Sequence, residues 1–233
     1  MILAALLEIL SVLPEKKFVN TDETFTFAVR VRNSGPDASD VKLRAGANAE
    51  ALIRSIEGPP EWTCDAAGPR FDSATTCTAP SMAAGTDAVF KVTLAAPQPS
   101  AMTYRIGAAL SAKGMKTRLL EANLILIPSD VNAELSLSAR RLDDERAAFE
   151  VKNDGPDEAR EVLVVITGAA LASGDGWTCT PAAHGVVCTR AALAAGTAST
   201  LEARGTSSAA MQGRVRAEKI HETQPRDNGA KPQ

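Results

Sequence analysis

The sequence predicts an all-β fold, an antiparallel sandwich that occurs twice in tandem. Three observations predict it: an apolar period of two residues, frequent turn residues, and one large internal repeat. In the first copy Phe25, Phe27, Val29 and Val31 face one way. Thr24, Thr26, Arg30 and Arg32 face the other, as a half-buried strand requires, with Ala28 neutral. The run stops at Asn33-Ser34-Gly35-Pro36-Asp37, where Gly accepts a positive φ, Pro presets the next φ and Asx side chains bond nearby backbone. Further alternating runs lie at Val41–Leu43, Val89–Leu94 and Tyr104–Leu110, and in the second copy at Leu135–Ser138, Val162–Ile166, Val186–Cys188 and Leu201–Ala203. Short strands with frequent turns read as an antiparallel sandwich. The alanine-rich stretch Ala45–Arg54 is expected to make at most one helical turn in a loop.

The repeat sets the domain organisation. Phe25 to Asp37 is followed by Trp62-Thr63-Cys64, Cys77 and Gly85-Thr86. The second copy runs from Phe149 through Asn153-Asp154-Gly155-Pro156-Asp157 to Trp177-Thr178-Cys179, Cys188 and Gly196-Thr197. The copies are offset by 120 residues at the Asn, 115 at the Trp and 111 at the second Cys, so short deletions separate fixed landmarks. So long a period suits tandem domains rather than solenoid units. They are expected at residues 8–127 and 133–233, linked by a short Pro128-Ser129-Asp130-Val131-Asn132 turn. Glu8-Ile9-Leu10-Ser11-Val12 resembles Glu134-Leu135-Ser136-Leu137-Ser138, which makes residues 8–13 the opening strand. The polar tail His221–Gln233 is expected to fray.

Composition narrows the function classes. The 233 residues carry 25 basic and 28 acidic side chains, a formal charge of -3, without the basic excess of a nucleic-acid binder. The apolar run Met1–Leu7 stops at Glu8, far short of the roughly 20 residues of a membrane-spanning helix. With no basic n-region and no small-x-small cleavage site, that run reads as the entry to a strand and not as a signal peptide. Two histidines, His184 and His221, leave little for acid/base chemistry, and six Phe, two Trp and one Tyr leave little for sugar stacking. There is no Gly-x-Ser-x-Gly elbow, phosphate loop, His-Glu-x-x-His or dinucleotide fingerprint, so no enzyme, metal or cofactor is expected. Asp143-Asp144-Glu145, between Arg141 and Arg146, reads as a solvated hairpin tip. Asp37, Asp40, Asp157 and Glu158 lack the dense spacing of a calcium loop.

The four cysteines fall two per copy at matching places, Cys64 with Cys77 and Cys179 with Cys188. One disulfide per copy is the simplest reading, each adding roughly 3 kcal/mol by closing a short loop. Free thiols are one alternative. Zinc held by Cys179, His184 and Cys188 is another, though no histidine lies between Cys64 and Cys77. Disulfides imply an oxidising, extracytoplasmic setting. Each Trp, two residues before a Cys, reads as core packing over that cysteine, with an exposed sugar platform as the alternative.

Taken in order, the alternating strand closing on Asn-x-Gly-Pro-Asp, the Trp-Thr-Cys, the second Cys and the later Ala-Gly-Thr resemble the prokaryotic conserved-repeat domain of unknown function numbered eleven. The resemblance spans about residues 8–127 and 133–230. It implies immunoglobulin-like sandwiches in tandem, as in bacterial and archaeal surface or secreted proteins, with similar repeats in the chlamydial cysteine-rich outer-membrane protein. Asn33, Gly35, Pro36 and Trp62, and Asn153, Gly155, Pro156 and Trp177, are its structural landmarks here. Two departures stand out. Val162 comes six residues past Pro156, as is usual in the family, but Val41 comes five past Pro36. The family's Leu-Pro pair is missing from both copies. Arg226–Ala230 resembles the stretch before the family's last strand, so the second sandwich is expected to lack that strand. The resemblance implies a non-catalytic spacer or display unit with protein partners at the cell surface. The alternatives are an adhesin-type protein- or glycan-binding module and an accessory domain of a larger exported enzyme.

Overall fold

The computed structural model describes residues 6–21, 23–95, 103–127, 129–222 and 225–233. The readings that fall on Met1–Ala5 and on Pro128 lie outside them. Apart from two short 3-10 turns, the regular structure of the described residues is β. The chain divides into two compact units after Ile127, with the short pieces Asn20–Glu23 and Gly68–Arg70 grouped with the second.

The first unit contains β1 (Leu7–Pro14), β2 (Phe18–Asn20), β3 (Thr24–Asn33), β4 (Ala38–Glu57), β5 (Thr63–Cys64), β6 (Arg70–Met82), β7 (Asp87–Ala95), β8 (Thr103–Ser111) and β9 (Arg118–Ile127). They hydrogen-bond in the order β1-β3-β7-β4-β8-β9-β2, and β6 joins β4 to β5. The alternation in β3 settles as expected, with Phe25, Phe27, Val29 and Val31 buried beside Phe90, Val92, Leu43 and Ile106. Each such side chain contributes roughly 1.5–3 kcal/mol by leaving water.

The second unit contains β10 (Val131–Asn132), β11 (Leu135–Arg141), β12 (Arg146–Asn153), β13 (Ala159–Thr167), β14 (Ala169–Ser173), β15 (Thr178–Ala182), β16 (Gly185–Leu193), β17 (Ala198–Gly205), β18 (Gln212–Arg216), β19 (Ile220–His221) and β20 (Gly229–Ala230). One sheet has the order β11-β12-β17-β14 and the other β15-β16-β13-β18-β20. Phe149, Val151, Val164, Ile166, Leu201 and Val215 fill the core. The order repeats the first unit strand for strand, with β1-β3-β7-β4 answering β11-β12-β17-β14.

Four expectations need correction. Ala45–Arg54 is not a helical turn but the middle of the 20-residue β4. The first half of β4 pairs with β8 and the second with β7, so one strand serves both layers and tertiary pairing overrides alanine's helical preference. In the second unit the same path is cut into β13 and β14 at Gly168, which has φ +78°; a Cβ there would lie 2.8 Å from the Ala210 carbonyl oxygen.

The opening strands align differently from their sequence likeness. Leu7 pairs with Asn33 and Leu135 with Asn153, so Leu7 answers Leu135, whereas the likeness matches Glu8 to Glu134. A bulge at Leu10 absorbs the extra residue of the first copy. The link, read as a turn, includes a strand: Val131 and Asn132 pair in parallel with Ile220 and His221.

The described part of the tail, residues 221–222 and 225–233, is folded onto the unit, since Glu222 and Asn228 are buried and β20 pairs with β18. Polarity misled the reading there, because the Glu222 carboxylate takes the Leu135 amide and Asn228 Nδ2 inside the unit. The expected missing last strand is represented by these two residues of β20, where the first unit has the ten-residue β9.

Candidate functional site

Each unit carries the same polar clasp, built on the asparagine that ends its central strand. β3 and β12 bury alternate residues, and the alternation carries Asn33 and Asn153 into the interior, both fully buried. A carboxamide there must be satisfied by hydrogen bonds or cost the unit stability. Asn33 Nδ2 donates to the carbonyls of Pro36 at 2.8 Å and Met82 at 2.9 Å, and its Oδ1 accepts the Gly35 amide at 3.1 Å. Asn153 Nδ2 donates to Asp157 O and Leu193 O, both at 2.9 Å, and its Oδ1 accepts from Gly155 N at 3.1 Å and Glu134 N at 3.3 Å.

The backbone completes the clasp. Asn33 N donates to Thr86 O and Gly85 N to Asn33 O; Asn153 N and Gly196 N do the same with Thr197 O and Asn153 O. Thus the Asn-x-Gly-Pro turn and the distant Ala-Gly-Thr turn are two halves of one device. The first-turn acceptor moves from Pro36 to Asp157, one position further along, where the second copy has its extra residue before Val162. Immediately before each valine sits a non-glycine residue with positive φ, Asp40 at 52° and Glu161 at 51°. Aspartate tolerates this region but is common elsewhere and glutamate is not marked for it at all, so sequence reasoning missed both positions.

The strands that end at the clasp acceptors Met82 and Leu193, β6 and β16, also carry the disulfide hairpins. Cys64 faces Cys77 across β5 and β6, Cys179 faces Cys188 across β15 and β16, and both pairs are bonded. Free-thiol and zinc readings therefore fall away, and His184 stands exposed in the Ala183-His184 turn. The two Trp residues part company. Trp62 is buried and meets Phe90 edge-to-face at 4.8 Å between centroids. Trp177 is only half-buried against its core. It donates Nε1 to Ser199 Oγ at 2.8 Å and lies under the Arg190 guanidinium, 5.9 Å from the ring centroid. Arg190 is itself held by Asp175 O at 2.6 Å and Ala192 O at 2.9 Å. At the equivalent places the first copy has Ala79 and Ala88, both buried, so its Trp packs among carbon instead. Trp62 thus lies within the core, and Trp177 packs at the edge of its core under a polar clamp.

The acidic residues are spent on structure. Asp143 accepts from the amides of Glu145 and Arg146 at 3.0 and 2.8 Å and from Arg146 Nε at 2.6 Å. The Arg146 bond, chiefly, holds its carboxyl below the usual range. Glu145 pairs with Arg204 at 2.8 Å, so the open depression over this tip presents paired charges. Asp37 accepts from Ala84 N and Asp157 from Asn132 N, both at 2.8 Å. On the outer face of the first unit Asp87 lies between Arg32 and Arg30, which pull its pKa down to about 2. Among the described residues no group of three or more His, Cys, Asp or Glu is placed to hold a metal ion, and no helix is long and apolar enough to cross a membrane.

No protein-family model and no curated protein matches the chain, so the motif resemblance stands on its residues. Among solved structures, red sea bream transglutaminase is similar at 14% identity and a TM-score of 0.34, over 96% of this chain and 30% of that one. A type II cohesin dyad from the adaptor ScaA scaffoldin of Acetivibrio cellulolyticus is similar at 12% identity and a TM-score of 0.31, over 94% of this chain and 90% of that one. The major pilin subunit BcpA*(D312A) of Bacillus cereus is similar at 6% identity and a TM-score of 0.38, over 92% and 59%. This chain therefore spans less than two thirds of the transglutaminase and of the pilin.

Proposed function

We propose that the chain is a non-catalytic structural and interaction module of an exported prokaryotic surface protein, each sandwich serving as a spacer or display unit. One observation carries the reading: both copies retain the same framework, an Asn clasp whose buried carboxamide is committed to backbone and a disulfide hairpin. Disulfides in both copies support export to an oxidising compartment. Cells expressing the intact gene test the proposal by protease shaving and thiol labelling. Surface exposure with all four cysteines unreactive is expected; a cytoplasmic protein with reactive thiols would contradict it.

A protein-binding role is favoured over a glycan-binding one by the solvent face of the first unit. Leu10, Leu13 and Val89 are 40%, 62% and 49% exposed there beside the paired Arg30 and Asp87, and none of them offers a sugar ring an aromatic face; the exposed Phe18 of the same unit stands apart from them, on β2 at the other end of the strand order. Binding on a matrix-protein array with a blank glycan array is the expected outcome, and the reverse result would overturn this preference.

A further inference from the structure

The two units close the same side of the sandwich in unequal ways. In the first, β9 pairs with β8 from Thr103↔Ile125 to Leu110↔Arg118, and Leu120, Ala122, Leu124 and Leu126 turn alternate side chains onto the core. In the second, the place beside β18 is held by Glu222 and the segment Pro225–Gln233. β20 pairs only Gly213 with Ala230 and Arg214 with Gly229, and Val215 N adds a bond to Asn228 O at 2.9 Å. Across the gap, the edge strand β11 is tied at its two ends. Leu135 N donates to the buried Glu222 carboxylate at 3.1 Å, and Arg141 N donates to Gln233 O at 3.3 Å.

The inward chemistry of this segment is poor. Where β9 turns Leu120, Ala122, Leu124 and Leu126 inward, the segment turns in only the small Ala230, the buried Pro232 and Asn228, which donates Nδ2 to Glu222 at 2.7 Å while its buried Oδ1 has no hydrogen-bond partner. An unsatisfied buried acceptor is a standing cost. Asp227 beside it titrates above the usual carboxylate range, first because it is desolvated and then because the Glu134 and Asp154 carboxylates repel its charge. β18 itself lies tight on the apolar core, since a Cβ at Gly213 would meet Phe149 and Leu137 at 2.7 and 2.8 Å, so a strand paired to its edge continues the layer that covers those side chains.

We propose that the β18 edge of the second unit is a strand-docking site, covered by the chain's own Pro225–Gln233 and taken over by an extended polypeptide segment apolar at alternate residues. The first unit shows the form of the occupant, since β9 fills the equivalent place. The incoming strand extends the ladder along Gln212–Arg216 and presents leucines to the core, as in other recognition by strand addition. Opening the cover is a local event, separable from unfolding of the sandwich. The inference does not depend on the spacer reading.

A fluorescent peptide with the sequence of Arg118–Ile127 is the probe, titrated into the full oxidised chain. A control peptide carries Leu120→Ser, Leu124→Ser and Leu126→Ser. Anisotropy gives affinity and hydrogen exchange locates the change. Saturable binding is expected, at least about tenfold tighter than for the control, with slower exchange in β18 and faster exchange in Pro225–Gln233. Glu222→Ala loosens the cover and raises apparent affinity about tenfold, since a larger fraction of molecules is open. Ala230→Asp, which sets a charge against the core, loosens the cover in the same direction and serves where Glu222→Ala fails to fold by near-ultraviolet dichroism. No saturable binding to the wild type or the folded variant, equal binding of the control, or binding that leaves exchange of Pro225–Gln233 unchanged would each overturn the proposal.

Discussion

Replacing Asn33 with alanine removes three hydrogen bonds from the interior of the first unit and nothing from the second. The carboxamide donates to Pro36 O and Met82 O at 2.8 and 2.9 Å and accepts from Gly35 N at 3.1 Å. At about 1 kcal/mol net each, and more where a buried partner is orphaned, the loss is about 3 kcal/mol. The bonds made by the Asn33 backbone with Thr86 and Gly85 survive, so the fold is weakened and not abolished. Hydrogen exchange of the full chain reads this with its own control. Protection in β3 and β7 should fall about a hundredfold, at roughly 1.4 kcal/mol per decade, while β12 and β17 stay as they were. Asn153→Ala should give the mirror image. A change below about threefold in β3 and β7, or an equal loss in both units, would refute the assignment of the clasp as a buried anchor.

Other expectations follow from single positions. Gly168→Ala should cost at least about 2 kcal/mol by chemical denaturation, from positive φ and the close Ala210 carbonyl, whereas Glu161→Gly should be neutral or stabilising. Asp87 should titrate near 2 by NMR. Because its pKa is depressed in the folded chain, its pairing with Arg32 and Arg30 contributes above the ordinary carboxylate range, near pH 4, and is lost as pH falls toward 2. An ordinary Asp87 value in the folded chain would show that the triad does not form in solution. Reduction should destabilise each unit by roughly 3 kcal/mol on the loop-closure model and lower both melting transitions; unchanged melts would remove the hairpins from the account of stability.

What the sequence made legible were features with local causes. Alternation in β3 and β12 needs only neighbouring residues, and the pairing of Cys64 with Cys77 needs only a short hairpin. The clasp was half legible, because Asn33 and Gly85-Thr86 were both singled out but their contact spans the two turns of a folded unit. Ala45–Arg54 misled because helical propensity in a run of alanines is weaker than pairing on both sides of β4. The tail misled because the partners of Glu222 and Asn228 are each other and the amide of Leu135, far back in the chain. Trp177 departs from Trp62 through Arg190 and Ser199, where the first copy has alanines; the difference was written in the sequence but gained meaning only with the strands in register.

The central claim, two like units each closed by its own hairpin disulfide, is met most directly by non-reducing peptide mapping of the intact chain. The account predicts two linked peptide pairs, Cys64 with Cys77 and Cys179 with Cys188, and no reactive thiol. A bond joining one unit's cysteine to the other's, or cysteines that alkylate without reductant, would contradict it.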